Sequence, residues 1–112
     1  MRHYHFLLLL AGAVAMLWVA APAPAQDMGR PQAGRIIAQN NCAQCHAVQK
    51  GESRSPNNNA PAFDTIAAVP GMTAIALTVA LRTPHRTMPN IVLQDDETRD
   101  IAAYILSLGS GG

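Results

Sequence analysis

The only two cysteines of the chain lie three positions apart, and a histidine follows the second one directly. Residues 42–46 read Cys-Ala-Gln-Cys-His, which is the pattern C-x-x-C-H. Two cysteine thiols at this spacing can both reach the vinyl groups of a haem and form thioethers, while the adjacent histidine projects toward the iron as its proximal ligand. The motif therefore predicts one covalent haem c and its iron, held by Cys42, Cys45 and His46.

Other kinds of site also use closely spaced cysteines. A thioredoxin-like redox pair needs a βαβ setting, and no segment of this chain shows convincing strand alternation. A zinc site that includes His46 needs two more ligands, for which the chain beyond residue 25 offers only His85 and acidic side chains. A structural disulfide is a poor explanation because exported chains commonly pair their cysteines across long loops. The haem interpretation is preferred over all three.

The other face of the iron needs a second ligand, for which methionine sulfur and histidine nitrogen are the usual donors. Met88 is the best candidate because it lies in an aperiodic loop where the ring of Pro89 stiffens the backbone. Met28 lies in an N-terminal tail and Met72 in a turn, so we expect packing or surface positions for both. His85, three residues before Met88, is the alternative nitrogen ligand.

The first 25 residues have the features of a secretory signal peptide. Arg2 lies in a short polar start, residues 6–21 form an uncharged apolar run, and residues 23–25 give the small-x-small pattern after which signal peptidase cuts. The alternative is a retained membrane anchor, since the run approaches the roughly 17 residues that cross a bilayer. The prolines at positions 22 and 24 favour cleavage. The prediction is a periplasmic protein that begins at Gln26.

The composition beyond this leader argues against a large protein core and against nucleic acid as a partner. The chain has eight Lys and Arg against seven Asp and Glu, and because the leader contains Arg2 the formal charge that remains is zero. Phe63 and Tyr104 are the only aromatic residues left. A domain this short with so few large side chains has a thin core of its own, so we expect a cofactor to fill its middle.

Helical patterns dominate the chain after a flexible tail at residues 26–33. Helices are predicted in four stretches, at residues 34–42, 61–68, 74–81 and 95–108. Thr73 is the expected N-cap of the third helix. The fourth helix begins with acidic residues at positions 95–97, which suit its positive end, and ends at Gly109; its apolar stripe consists of Ile101, Tyr104, Ile105 and Leu108. Residues 50–59 are rich in turn-forming residues and residues 83–94 lack a period, which indicates loops.

No internal repeat and no second domain is found in the sequence. The predicted organisation is a signal peptide at residues 1–25, a tail at 26–33, one domain at 34–108 and a C-terminal tail at 109–112. The predicted fold class is all-α, with three to four short helices wrapped around one covalently bound haem.

The motif and its surroundings resemble the small single-haem class I c-type cytochromes of bacteria. The resemblance runs from Gly34 to Leu108 and rests on Gly34 itself, eight positions before Cys42, on the C-x-x-C-H motif, on the Ala60-Pro61 pair and on residues 84–89 and 100–105. It implies the small cytochrome c fold, in which the first and last helices cross near the haem. By resemblance, Gly34 would face the stripe that holds Tyr104, and the Pro61 carbonyl would accept a hydrogen bond from the other ring nitrogen of His46. Pro61 and Tyr104 would then belong to the haem pocket.

Two features depart from the pattern of that family. Ala38 stands where an aromatic residue often packs between the crossing helices, which predicts a looser crossing. No tryptophan remains beyond the leader to bond a haem propionate, so the candidate propionate partners are Arg54, Arg82 and Arg86.

The predicted function is electron transfer between redox proteins and not catalysis. A histidine and a methionine on opposite faces of the iron leave no open position for oxygen or peroxide and raise the reduction potential. Such a carrier docks transiently with a dehydrogenase, a reductase or an oxidase, and a membrane is a partner only if the leader is retained. Two alternatives stay open: a haem enzyme or gas sensor in which Met88 does not bind the iron, and a fixed subunit of a larger dehydrogenase.

Overall fold

Four α-helices build the part of the chain that the computed structural model describes, which is residues 28–85 and 87–109. The helices are α1 (Pro31–Asn41), α2 (Phe63–Ala67), α3 (Ala74–Arg82) and α4 (Asp95–Gly109). These residues contain no strand, and none of their helices is long and apolar enough to cross a membrane. The predicted all-α class is confirmed, whereas the predicted signal peptide lies outside the described residues.

Helix α1 begins at Pro31, three residues before the predicted start of the domain. Proline suits the first turn of a helix, because its missing N–H would have no partner there and its φ is already helical. The preceding residue also packs on the fold, since the Arg30 N–H donates a hydrogen bond to Asp100 Oδ1 at 2.7 Å. The segment predicted as a flexible tail therefore contacts α4 from Gly29 onward, since a Cβ built on Gly29 would overlap the Arg99 carbonyl.

The ends of α3 and α4 have the capping chemistry that the sequence predicts. The Thr73 hydroxyl accepts a hydrogen bond from the Ala76 N–H at 3.1 Å and so caps α3. Three acidic residues, at positions 95–97, occupy the first turn of α4, where the helix dipole favours negative charge. Asp95 also pairs with Arg82, at 2.5 Å, and joins the two ends of the loop at residues 83–94. Both partners are exposed, so this pair adds at most about 1 kcal/mol.

Helices α1 and α4 make the most extensive helix contact of the fold. A Cβ built on Gly34 would overlap the backbone of Asp100 and the Cβ of Tyr104, so only glycine permits this approach. Ala38, one turn further along α1, is fully buried. The close approach at Gly34 and the burial of Ala38 show that α1 and α4 are packed against each other at both positions.

We expect Gly34→Ala to destabilise the protein strongly. The added methyl group would meet backbone atoms of α4, which cannot rotate away as the end of a side chain can. The helices must separate, at a cost of about 1–3 kcal/mol or more. Thermal unfolding of the haem-loaded protein, followed by circular dichroism, measures this loss. Gln39→Ala on the exposed face of α1 is the control, and equal melting temperatures for the two variants would contradict the prediction.

A partly buried ion pair joins the residue before α1 to the middle of α4. Arg30 Nη2 lies 2.8 Å from Asp100 Oδ2, and the Asp100 side chain is 5% exposed whereas that of Arg30 is 70% exposed. Hydrogen bonds from the Arg30 side chain lower the pKa of the Asp100 carboxyl, and they outweigh the opposite effect of its burial. Asp100 therefore stays ionised in the folded protein to a lower pH than in the unfolded chain.

Because the pKa of Asp100 is lowered in the folded protein, we expect the free energy of unfolding to decrease in acid. A lowered folded pKa means that its contribution is complete above the unfolded pKa of about 3.9 and is lost as the pH falls through the folded value. Asp100→Asn should flatten this part of the pH profile and lower the free energy of unfolding at neutral pH by about 1–3 kcal/mol. Denaturant unfolding across a pH series measures both effects, with exposed Asp96→Asn as the control. A wild-type profile in Asp100→Asn would refute the assignment.

The core of the described domain is small. Its largest fully buried side chains are Ile101, Ile105 and Thr98, all on α4. Phe63 and Tyr104 are buried as well and are the only aromatic rings of the core. Each of the four helices therefore buries one face against the others, and an apolar cavity is left between them.

Candidate haem site

The cavity has a volume of about 320 Å³ and lies between the C-x-x-C-H segment, helices α2 and α3, and the loop that precedes α4. Its apolar wall includes Phe63, Ile66, Leu77, Leu81 and Ile105. The volume falls within the range of about 300–1,000 Å³ that is usual for small-molecule and cofactor sites. Five of the six predicted site residues line it, namely Cys42, Cys45, His46, Pro61 and Met88.

Helix α1 delivers the motif to the cavity as a compact turn. The N–H groups of Cys42 and Ala43 both donate to the Ala38 carbonyl, and the His46 N–H donates to the Cys42 carbonyl at 2.9 Å. The two cysteines are free thiols, and burial raises the pKa of Cys42. A thioredoxin-type nucleophile has a lowered pKa, so the environment of Cys42 does not fit that alternative.

A zinc site would need ligands beyond the motif. Within residues 28–85 and 87–109, no group of three or more His, Cys, Asp or Glu side chains is arranged to hold a metal ion.

The His46 ring is oriented by a hydrogen bond to the main chain. Its Nδ1 lies 2.7 Å from the Pro61 carbonyl oxygen. A carbonyl can only accept, so Nδ1 carries a proton, and in the neutral ring Nε2 then keeps its lone pair. The ring also lies near that of Phe63, with 5.4 Å between the centroids. Nε2 is therefore the atom of His46 that can bind a metal.

Tyr104 does not line the cavity. Its Cβ lies against Gly34 at the crossing of α1 and α4, and its hydroxyl donates to the Val48 carbonyl at 2.7 Å. Burial raises the pKa of this phenol. Tyr104 thus lies behind the motif, where it contacts the chain two residues after His46.

The loop between α3 and α4 brings two of the four candidate distal ligands to the cavity. Met88 and His85 both line it, and Met88 is half-buried whereas His85 is exposed. Met28 is 80% exposed, and Met72 packs against the core outside the cavity. Among these four residues, only Met88 and His85 share a cavity with His46.

The arginines considered as propionate partners do not line the cavity where they are described. Arg54 borders a second groove, whose lining shares His46 with that of the cavity, Arg82 pairs with Asp95, and Arg86 lies outside the described residues. The polar cavity residues that the sequence analysis missed include three asparagines, Asn41, Asn57 and Asn59. Asn57 and Asn59 belong to the loop at residues 50–59, whose composition indicated an exposed loop and gave no sign of a contact with the cavity.

Comparison with known proteins agrees with this geometry. Residues 29–105 match the family described as cytochrome c oxidase, cbb3-type, subunit III. The chain belongs to this cytochrome c family. It is also 36% identical over 102 residues to cytochrome c-552 of Bradyrhizobium diazoefficiens, an alignment that covers 88% of this chain and 94% of that protein. No solved structure matches the chain significantly.

The predicted resemblance to c-type cytochromes is therefore confirmed, and this cytochrome c is an electron carrier rather than an enzyme. Its cavity fits the haem that the family implies. Two thiols, a histidine with a free Nε2, a thioether and an apolar wall meet in one place. When bound, a haem supplies an iron that gains and loses one electron. Cys42 and Cys45 would be the attachment points, and His46 and Met88 the side chains able to hold its iron.

Proposed function

We propose that this cytochrome c is an exported carrier of single electrons, with one haem c attached through Cys42 and Cys45 and ligated by His46 and Met88. The observation that carries the proposal is that these four side chains line one apolar cavity. The hydrogen bond from His46 Nδ1 to Pro61 supports it further, because it leaves Nε2 free to bind iron.

Each of these residues has a distinct task in the proposed site. The thioethers of Cys42 and Cys45 keep the haem attached even though the domain is small. The Pro61 carbonyl fixes the ring orientation of His46 and increases its strength as a ligand. The sulfur of Met88 would be the second ligand, a soft one that favours ferrous iron and raises the reduction potential.

This arrangement would suit a carrier because the protein would supply both further ligands of the haem iron, His46 and Met88. Oxygen and peroxide then have no open position, and held ligands need little rearrangement when an electron arrives. The partners are redox proteins that dock briefly, and such encounters typically bury less than about 1,200 Å². The family is named for a subunit of a cbb3-type oxidase, which favours an oxidase among the possible dehydrogenase, reductase and oxidase partners. A formal charge of zero beyond residue 25 argues against strong electrostatic steering.

Absorption spectra of the oxidised and reduced protein, purified from a host with haem-attachment machinery, test the proposal. A haem with histidine and methionine ligands is low-spin in both states and does not bind carbon monoxide. Covalent attachment is tested by denaturing the protein. A haem bound through thioethers should then remain on the chain. A high-spin spectrum with ready carbon monoxide binding would contradict ligation by both His46 and Met88, and a chain without covalent haem would refute the proposed attachment.

The proposed location is the periplasm, reached through the signal peptide at residues 1–25. We expect protein from the native host to begin at Gln26, because a polar start, an apolar run and an Ala-x-Ala site together direct export and cleavage. Intact-mass spectrometry of the periplasmic and membrane fractions measures this. Replacing Ala23 and Ala25 by leucine should block cleavage and provide the control. Wild-type chains that keep Met1 in the membrane fraction would instead indicate a tethered carrier.

A further inference from the structure

Two buried hydroxyl groups hold the main chain that directly follows His46. The Ser55 hydroxyl accepts a hydrogen bond from the Ala47 N–H at 3.0 Å, and the Tyr104 hydroxyl donates to the Val48 carbonyl at 2.7 Å. Ala47 and Val48 are each only 3% exposed. If either hydroxyl were lost, its partner would have little access to water as a replacement.

Ser55 is unusual among its neighbours. It is 8% exposed, whereas the other residues at positions 50–59 are exposed or half-buried. Burying a hydroxyl is unfavourable unless it is hydrogen-bonded, so a buried serine in a polar loop needs a specific partner. Its partner is the N–H of the residue next to His46. The one buried side chain of this loop therefore supports the segment that carries the proposed iron ligand.

The same segment is held from a second side by the start of α2. The Ala47 carbonyl accepts a hydrogen bond from the Phe63 N–H at 2.9 Å, and His46 Nδ1 donates to the Pro61 carbonyl. Ala47 is thus bonded through both its N–H, to Ser55, and its C=O. The His46 side chain is attached to this main chain. A shift at Ala47 therefore changes the distance between His46 Nδ1 and the Pro61 carbonyl oxygen.

We propose that Ser55 and Tyr104 are positioning residues for His46. By holding Ala47 and Val48, they set the strength of the His46–Pro61 hydrogen bond and, through it, how strongly the imidazole donates electrons to the iron. This inference rests on the proposed ligation of the iron by His46. A stronger bond to Pro61 makes the imidazole more basic, which stabilises ferric iron. A weaker bond therefore raises the reduction potential.

Ser55→Ala in the haem-loaded protein tests this role. It removes the acceptor of the Ala47 N–H without adding bulk. NMR of the reduced protein should show solvent exchange of the His46 Nδ1 proton that is about tenfold faster, as expected for the loss of one hydrogen bond. A redox titration should give a higher potential. Tyr104→Phe should shift both quantities in the same direction, and Ser55→Thr, which keeps the hydroxyl, should restore wild-type values.

Thr98→Val is the matched control. Thr98 is 1% exposed, and its hydroxyl donates to the Gln94 carbonyl within the first turn of α4, so the variant loses a buried hydroxyl bond that does not involve residues 45–48. It should melt at a lower temperature with an unchanged potential and unchanged Nδ1 exchange. If Ser55→Ala and Tyr104→Phe also lower the melting temperature but leave the potential and the Nδ1 exchange unchanged, the two hydroxyls only stabilise the fold and the inference is wrong.

Two other results can be told apart from a purely structural role of the two hydroxyls. If Ser55→Ala does not yield haem-loaded protein, Tyr104→Phe, which retains its ring in the core, decides the question by the same two measurements. If the wild-type spectrum lacks the features of a histidine-ligated haem, the proposed function fails together with this inference.

Discussion

Replacing both Cys42 and Cys45 by alanine should yield a chain that does not fold cooperatively. Without attached haem, the cavity of about 320 Å³ is left between the helices, and its apolar wall is open to water. At about 24 cal/mol per Å³, a dry cavity of this size would cost on the order of 8 kcal/mol. Water entering the open site reduces this figure, which is an upper bound. The cost is nevertheless comparable to the total stability of a typical domain, about 5–15 kcal/mol.

Circular dichroism, thermal unfolding and limited proteolysis of the purified double variant measure this effect. The single variant Cys45→Ala is the matched control, because it keeps one thioether together with His46 and Met88 and should fold around the haem. A cooperative, native-like melt of the double variant without haem would show that the protein core alone is sufficient. The idea that haem attachment and folding are inseparable would then be wrong.

Met88→Ala should convert the carrier into a protein with an accessible iron position. His46 and both thioethers still hold the haem, but the ligand that favours ferrous iron is gone, so the reduction potential should fall. Axial ligands set haem potentials over a range of about 0.8 V, and each fall of about 59 mV makes electron transfer from a given donor tenfold less favourable. Carbon monoxide should bind the reduced form. Redox titration and carbon monoxide titration measure the two effects.

The controls for this prediction use the other candidate ligands. Met72 packs outside the cavity, so Met72→Ala should keep the wild-type spectrum and potential. His85 lines the cavity and can occupy the vacated position, in which case only the double variant Met88→Ala with His85→Ala binds carbon monoxide. If Met72→Ala alone opens the iron, the assignment of Met88 is wrong. If the wild type already binds carbon monoxide readily, the proposed ligation by both His46 and Met88 is wrong.

The features that could be predicted from the amino-acid sequence are local. The spacing of Cys42, Cys45 and His46 indicated the haem chemistry because the thioether and ligand geometry is set within one turn of chain. The Thr73 cap and the acidic start of α4 marked helix ends because capping bonds and dipole effects act over three or four residues. Ile101, Tyr104 and Ile105 are buried as their helical spacing predicts, and Leu108 of the same stripe is half-buried.

The features that could not be predicted depend on contacts between distant segments. Helix α1 begins at Pro31, and the residue before it is held by Asp100, seventy positions away. The sequence offered four candidates for the distal ligand, and folding brought only Met88 and His85 to the cavity with His46. Ser55 is buried in a loop whose composition indicates solvent, because its partner is the Ala47 N–H. Neither the hydrophobic period nor local propensity encodes such pairings. They arise only once the helices have packed, because the main-chain N–H and C=O groups buried after His46 then require hydrogen-bond partners.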